Sequence, residues 1–260
     1  LAFNPSSSVI FVTRSEGVTS AGVMPVGGLI PGQSAWAELS GKSSSEAIAK
    51  PFAAMHVNLR GSGDEGSRAT AFLRAREAFD DARVYQKNKA AYERNQSRRL
   101  AASRLDLEAL GQVLDGKIPV VFHVNRASDV LSTLALAKEF GLRAIIAGGA
   151  EAWKVKDELA AANTPVIVYP LESDPDSFET LSAREDNAAL LHAAGVRVVI
   201  STGSTHNARK LRQVAGNAVR AGLPLSAAVS AVTAQAASLF GMSATHGALS
   251  QGKTANVVVW

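Results

Sequence analysis

Short β-branched runs alternate along this chain with longer stretches in which apolar residues recur three and four positions apart. The first pattern reads as buried strand, the second as amphipathic helix. The clearest pair lies mid-chain. Val120, Val121, Phe122 and Val124, set between Pro119 and the polar Asn125-Arg126, predict a strand buried on both faces. Residues 127–140 then predict a helix with Val130, Leu134 and Ala137 on one stripe, stopped by Gly141. His123 therefore falls near the carboxyl end of a buried strand, the end that faces ligands in parallel α/β folds.

The same reading extends outward. Residues 4–17 predict a capped helix ending at Gly17, 18–24 a strand, 25–32 a turn-rich loop and 36–39 a short strand. Residues 53–59 predict a strand ending in the turn Arg60-Gly-Ser-Gly63, and 67–102 one or two long helices. A shorter helix runs from Asp106, its expected N-cap, to Leu114. Strands at 143–147, 165–170 and 197–201 alternate with helices at 151–162 and 184–194. Helices at 208–221 and 225–240 follow, and Val257 to Trp260 reads as a final apolar strand. Seven strands before the tail, alternating with helices, imply an α/β fold with a parallel sheet. That is one strand short of a closed (β/α)8 barrel, and the missing first strand is expected upstream of Leu1.

The length of 260 residues suits one such barrel, and a hydrophobic content of 47% gives it ample core. No apolar run is long enough to predict a membrane-spanning helix. The opening Leu-Ala-Phe-Asn-Pro-Ser lacks the basic start and apolar centre of a signal peptide, and a start at Leu suits a fragment or a processed form. With no cysteine there is neither a disulfide nor a thiolate metal ligand. The net charge of +4 is local: eleven Lys/Arg stand against six Asp/Glu between Arg60 and Arg104. Phe72, Phe79, Tyr85 and Tyr92 recur there at roughly helical spacing, so a solvated helix with a basic face is expected and no nucleic-acid groove.

Specific chemistry enters near the carboxyl end. Gly222-Leu-Pro, Ala227-Ala-Val-Ser-Ala-Val-Thr233, Ala236-Ala, Leu239, Gly241 and Gly247-Ala-Leu-Ser-Gln-Gly-Lys253-Thr-Ala-Asn-Val-Val-Val together resemble the amidohydrolase superfamily. The likeness is to its imidazolonepropionase-like branch, in which G-x-L-x-x-G-K-x-A-D leads into a β-sandwich strand. Asn256 stands where that pattern has Asp. Gly148-Gly-Ala-Glu-Ala-Trp153 and His206-Asn-Ala-Arg209 extend the likeness upstream.

The resemblance implies a TIM-like (β/α)8 barrel of the metal-dependent hydrolase type over residues 1–246, with 247–260 beginning a β-sandwich. It implies one or two divalent metals, zinc foremost, activating water against a C–N bond of a small non-peptide or cyclic amide. Family ligands are a His-x-His on strand one, Lys or Glu on strand four, His on strands five and six, and Asp on strand eight. On this chain the resemblance places His123 at the strand-five ligand and His56 at the strand-four position. Strand six, through Ile146 to Gly149, has no His, and Gly203-Ser204 stands at the strand-eight Asp. No His-x-His occurs. His206, with Ser204, is the candidate catalytic replacement, and Arg126, Gly148 and Gly149 are candidate substrate contacts. His192 and His246 are expected to be structural. With one family ligand matched, the alternative is a non-catalytic barrel of the same fold, without a metal, serving as a binding or structural protein. An open sheet edge also predicts that another chain or segment completes the barrel.

Overall fold

Seven strands form one curled sheet in the order in which they occur in the chain. They are β1 (Ser20–Val23), β2 (Gly32–Glu38), β3 (Ile48–Asn58), β4 (Val120–Val124), β5 (Ala144–Gly148), β6 (Val166–Val168) and β7 (Val198–Ile200). The computed structural model describes residues 3–60 and 66–259, so the turn expected over Arg60 to Gly63 lies, beyond Arg60, outside the described residues. From β3 to β7 every neighbour is parallel, as expected.

The first two strands depart from the all-parallel barrel. β1 pairs with β2, and β2 with β3, in antiparallel fashion. Linker length explains this: residues 24–31 and 39–47 join them, and a parallel crossover needs a dozen residues or more. Among the described residues β1 and β7 are the two edges of the sheet, so it forms a half-barrel.

Side chains alternate across each parallel strand, giving the sheet two dry faces. On the convex face Val57, Phe122, Ile146, Val166 and Val198 pack against helices. The main helices there are α3 (Arg68–Lys87), α5 (Arg104–Leu114), α6 (Ala127–Phe140), α8 (Asn187–Ala193) and α9 (Leu211–Arg220). The others are α1 (Ser8–Ser15), α2 (Ser44–Ala47), α4 (Lys89–Glu93), α7 (Lys156–Ala161), α10 (Leu225–Val232) and α11 (Ala234–Leu239). On the concave face Ala54, Val121, Ile145, Ala147, Ile167 and Val199 meet Leu239, with Ala236 and Phe240 packed against them.

Local chemistry sets the element ends. Ser103, not Asp106, is the N-cap of α5: Asp106 sits at the third helical position and completes a reciprocal capping box. Gly141 ends α6 in the left-handed conformation at φ +68°. The single helix expected over 225–240 breaks at Thr233, whose Oγ1 donates to the carbonyl of Val229 at 2.7 Å. The basic stretch is a set of packed helices whose charges find partners. Buried Asp81 accepts from Arg98 at 2.5 Å and from the Ala101 amide at 2.6 Å, while Arg76 pairs with Glu139 at 2.8 Å. Among the described residues no helix is long and apolar enough to cross a membrane.

The tail forms no strand over 247–259, and no β-sandwich is seen among the described residues. It folds back under β2 instead. Lys253 Nζ donates to the carbonyl of Ser243 at 2.6 Å, and Asn256 Nδ2 donates to Glu38 Oε2 at 3.1 Å. His246 Nε2 lies 2.6 Å from the other oxygen of Glu38. Gly247, at φ +87°, lets this segment reach α11: a Cβ there would stand 2.8 Å from Ala237 Cβ and 2.9 Å from Ala234 Cα. The Gly and Lys of the tail motif are thus explained by packing.

Candidate active site

The parallel register arranges the concave face in layers. Asn58, His123, Ala147, Ile167 and Val199 are successive partners across β3 to β7. Val121, two residues before His123, and Ala54, two before His56, both belong to the concave cluster. The two-residue period therefore turns both histidines to the concave side, toward the carboxyl ends of their strands. Continuing by two residues from Asn58, Ile167 and Val199 brings Arg60, Tyr169 and Ser201 to the layer above His123.

His56 and His123 come together as a pair. His56 Nδ1 lies 3.0 Å from His123 Nε2, with the rings stacked at 5.4 Å between centroids. Both are buried. Burial lowers His56 to a pKa of about 4. For His123 burial leads, followed by the charges of His56 and Arg60, and lowers it to about 3. Both rings are neutral at physiological pH, and as bases they are too weak to take a proton from water there. They are suited to holding a proton between them or offering lone pairs to a cation. His56 Nε2 is buried without a hydrogen-bond partner.

Above the pair stand groups that sequence reasoning passed over. Burial pushes the Tyr169 phenol up to about 12, with Arg60 opposing and Glu172 adding. Glu172 is also raised, first by burial, against Arg60 and with Asp176. Its carboxylate lies over Gly203, where a Cβ would come within 2.4 Å of Oε1. Only the register makes this layer visible; no sequence motif marks it.

The other candidates sit differently. Arg126 precedes α6 and donates through Nε and a terminal nitrogen to the carbonyl of Phe178, at 3.1 and 2.9 Å, with Glu179 3.7 Å away. Its guanidinium anchors the loop after β6. Glu179 also pairs with Arg68, which reaches Asp129 at 3.0 Å. At Gly148 a Cβ would meet Asn125 Oδ1 at 2.4 Å, so the close approach there is by the protein's own amide. Gly149 donates to the carbonyl of Val124 at 2.7 Å and accepts from Asn187 at 2.9 Å. Ser204 caps a short 3-10 turn, Thr205–Lys210, and its hydroxyl is buried without a partner. His206 lies exposed on that turn. No hydrogen bond or ion pair joins Arg126, Gly148, Gly149, Ser204 or His206 to the histidine pair among the described residues.

A zinc ion bonded to two imidazoles at about 2.0–2.1 Å holds their nitrogens roughly 3.3 Å apart. The 3.0 Å separation of the pair is close to that. A catalytic zinc needs about three protein ligands. Among the described residues no group of three or more His, Cys, Asp or Glu is placed to hold an ion. The described residues alone therefore do not fit a catalytic metal.

Comparison with known proteins bears on this geometry. Residues 136–260 match the amidohydrolase family. No curated protein matches the chain. An amidohydrolase from Thermotoga maritima MSB8 superposes with a TM-score of 0.88 at 25% identity, covering 97% of this chain and 69% of that one. A zinc-bound adenosine deaminase from Xanthomonas campestris gives 0.43 at 17% identity, over 77% of this chain and 50% of its own. E. coli guanine deaminase gives 0.41 at 16%, over 66% and 46%. The chain thus spans about half the length of these two, and superpositions that loose carry no weight. Residues 136–260 match the amidohydrolase family, just under half of the chain, and nearly the whole chain is similar in fold to an amidohydrolase.

Proposed function

We propose that this chain is the barrel of a hydrolase of the amidohydrolase type, in its imidazolonepropionase-like branch. Its substrate class is a small molecule with a non-peptide or cyclic amide, cleaved at the C–N bond. The observation that carries the proposal is the buried, neutral His56–His123 pair at the carboxyl ends of two adjacent parallel strands. Hydrolases of this type use metal-activated water, and His56 with His123 supply two ligands on this chain. A further ligand has to come from another chain or segment, placed against the open edges of β1 and β7, and no chemical step is assigned to the two histidines alone.

One observation favours a second function, a non-catalytic barrel that binds a ligand or partner: the missing third ligand among the described residues. Elemental analysis after dialysis, beside hydrolysis of hydantoin, dihydrouracil and N-acyl amides with and without added zinc, separates the two. A hydrolase retains zinc and cleaves at least one substrate class, and His123→Ala loses both. The absence of zinc and hydrolysis under every condition favours the non-catalytic barrel. Stoichiometric zinc, unchanged in His123→Ala, refutes the assignment of the pair.

A further inference from the structure

We propose that Thr245 is a nucleophile: its hydroxyl, served by His246 and Glu38, takes an acyl group from small activated esters and thioesters. The site is separate from the histidine pair and rests on none of the chemistry proposed above.

Glu38 closes β2 beside Ile48, the first residue of β3, so it stands at the end of that strand opposite to His56. One oxygen of Glu38 lies 2.6 Å from His246 Nε2, and the other accepts from Asn256 at 3.1 Å. The contact to Nε2 is bent, a charge contact more than a straight hydrogen bond. Trp36 stands edge-on to the imidazole, with 5.8 Å between ring centroids. A carboxylate and an indole thus fix the ring, whose side chain is only 9% exposed. Its other nitrogen, Nδ1, lies 2.8 Å from Thr245 Oγ1. Thr245 itself is exposed.

Charge decides the tautomer. A nitrogen 2.6 Å from a carboxylate oxygen has to carry a proton, which leaves Nδ1 with the lone pair. The hydroxyl of Thr245 then donates to Nδ1, since its other acceptor, the carbonyl of Met242, is farther off at 3.3 Å. Carboxylate, imidazole and hydroxyl in series are the arrangement that activates a weak hydroxyl nucleophile. Lys253 adds a cation. Its Nζ donates to the carbonyls of Ser243 at 2.6 Å and His246 at 3.3 Å, on either side of Thr245. An ammonium has three protons, so one remains for the oxygen that turns negative when the hydroxyl attacks. Anchorage of the tail explains the contact of Glu38 with His246, but gives no reason for an exposed hydroxyl on the free nitrogen.

The step is acyl transfer. Thr245 Oγ bonds to the acyl carbon while its proton passes to His246 Nδ1. The bond to the leaving oxygen or sulfur breaks with its electron pair, and the imidazole returns the proton to solvent. An exposed nucleophile selects by reactivity more than by shape, so the acyl donor is small and its leaving group stable as an anion.

p-Nitrophenyl acetate is the probe. The whole chain, Thr245→Ser, Thr245→Val and Glu38→Gln are treated at neutral pH, below the melting transition of each. Samples quenched in acid over time are mapped for acetyl groups by mass spectrometry. In the parent, Thr245 should be acetylated ~100-fold faster than the exposed Thr254, the contribution expected of a positioned base. Thr245→Ser should keep the fast site and Thr245→Val lose it. Glu38→Gln should slow residue 245 by about tenfold or more while the lysines of the same sample react as before, which a merely structural role would not produce. If Glu38→Gln fails to fold, the ratio of Thr245 to Thr254 in the parent decides. Equal rates at these two threonines, no labelling of Thr245→Ser at residue 245, or an unchanged rate in folded Glu38→Gln overturns the inference.

Discussion

Replacing Asn256 by Asp restores the residue found in the related tail motif, and in this protein it should be destabilising. Asn256 donates its amide to Glu38 Oε2 at 3.1 Å, while His246 lies 2.6 Å from the other oxygen. The side chain of Glu38 is only 18% exposed, so water compensates little. Asp at 256 removes a hydrogen bond to a charged group, worth roughly 1.5–3 kcal/mol. It also sets two carboxylates about 4 Å apart, a repulsion of about 4 kcal/mol at the effective dielectric of a protein surface. The protein has one escape, protonating one of them, which at pH 7.5 costs about 4 kcal/mol from an ordinary carboxylate pKa. The cheaper of the two routes sets the net loss, about 4 kcal/mol at pH 7.5. Its sign with pH follows. The crowded carboxyl pair in the variant has a raised pKa when folded, so its penalty shrinks as pH falls and grows as pH rises. Urea denaturation of parent and variant at pH 7.5 and pH 5 measures both effects. A variant as stable as the parent at pH 7.5 would show that the tail does not read Glu38 through an amide donor.

Gly247→Ala should lower stability by ~2–4 kcal/mol, because the added methyl meets the backbone of α11 at 2.9 Å and the residue is held at φ +87°; an unchanged urea midpoint would mean that α11 can yield. Acidification should also weaken the chelator-treated, metal-free protein. His56 and His123 have folded pKa values of about 4 and 3, below 6.5, so the unfolded chain binds protons first and stability, complete above pH 6.5, is lost as pH falls toward 4. Two such groups cost ~4 kcal/mol between pH 7.5 and pH 5. A flat profile over that range, or the same profile in a His56→Gln/His123→Gln protein, would refute neutral burial of the pair.

The central strand and its helix were legible to within a residue, because β4 is apolar on both faces and α6 ends at a glycine held at φ +68°. The antiparallel start was not, since alternation of apolar runs says nothing of direction; the short linkers at 24–31 and 39–47 carried that information. The break at Thr233 was hidden because helical periodicity continues through it into α11. At the site, His123 was visible from its position near the carboxyl end of a strand, and His56 through the resemblance, at the strand-four ligand position. Arg60 and Tyr169 were not, because they join the histidines only through the register of β3 to β7, a property of paired strands. Arg126 looked available to a substrate from sequence, but its guanidinium is taken up by the carbonyl of Phe178.

The bond from Asn256 to Glu38 spans 218 positions of the chain, and that from Lys50 to the carbonyl of Phe240 spans 190. Contacts so distant in sequence form late, after much loop-closure entropy has been lost. During synthesis β2 and β3 leave the ribosome long before the residues that hold them exist. Until then the antiparallel start of the sheet is a hairpin with an open edge, the kind of surface that chaperones shield and that aggregates when they do not. The yield of folded protein should therefore depend on how quickly translation reaches residue 256.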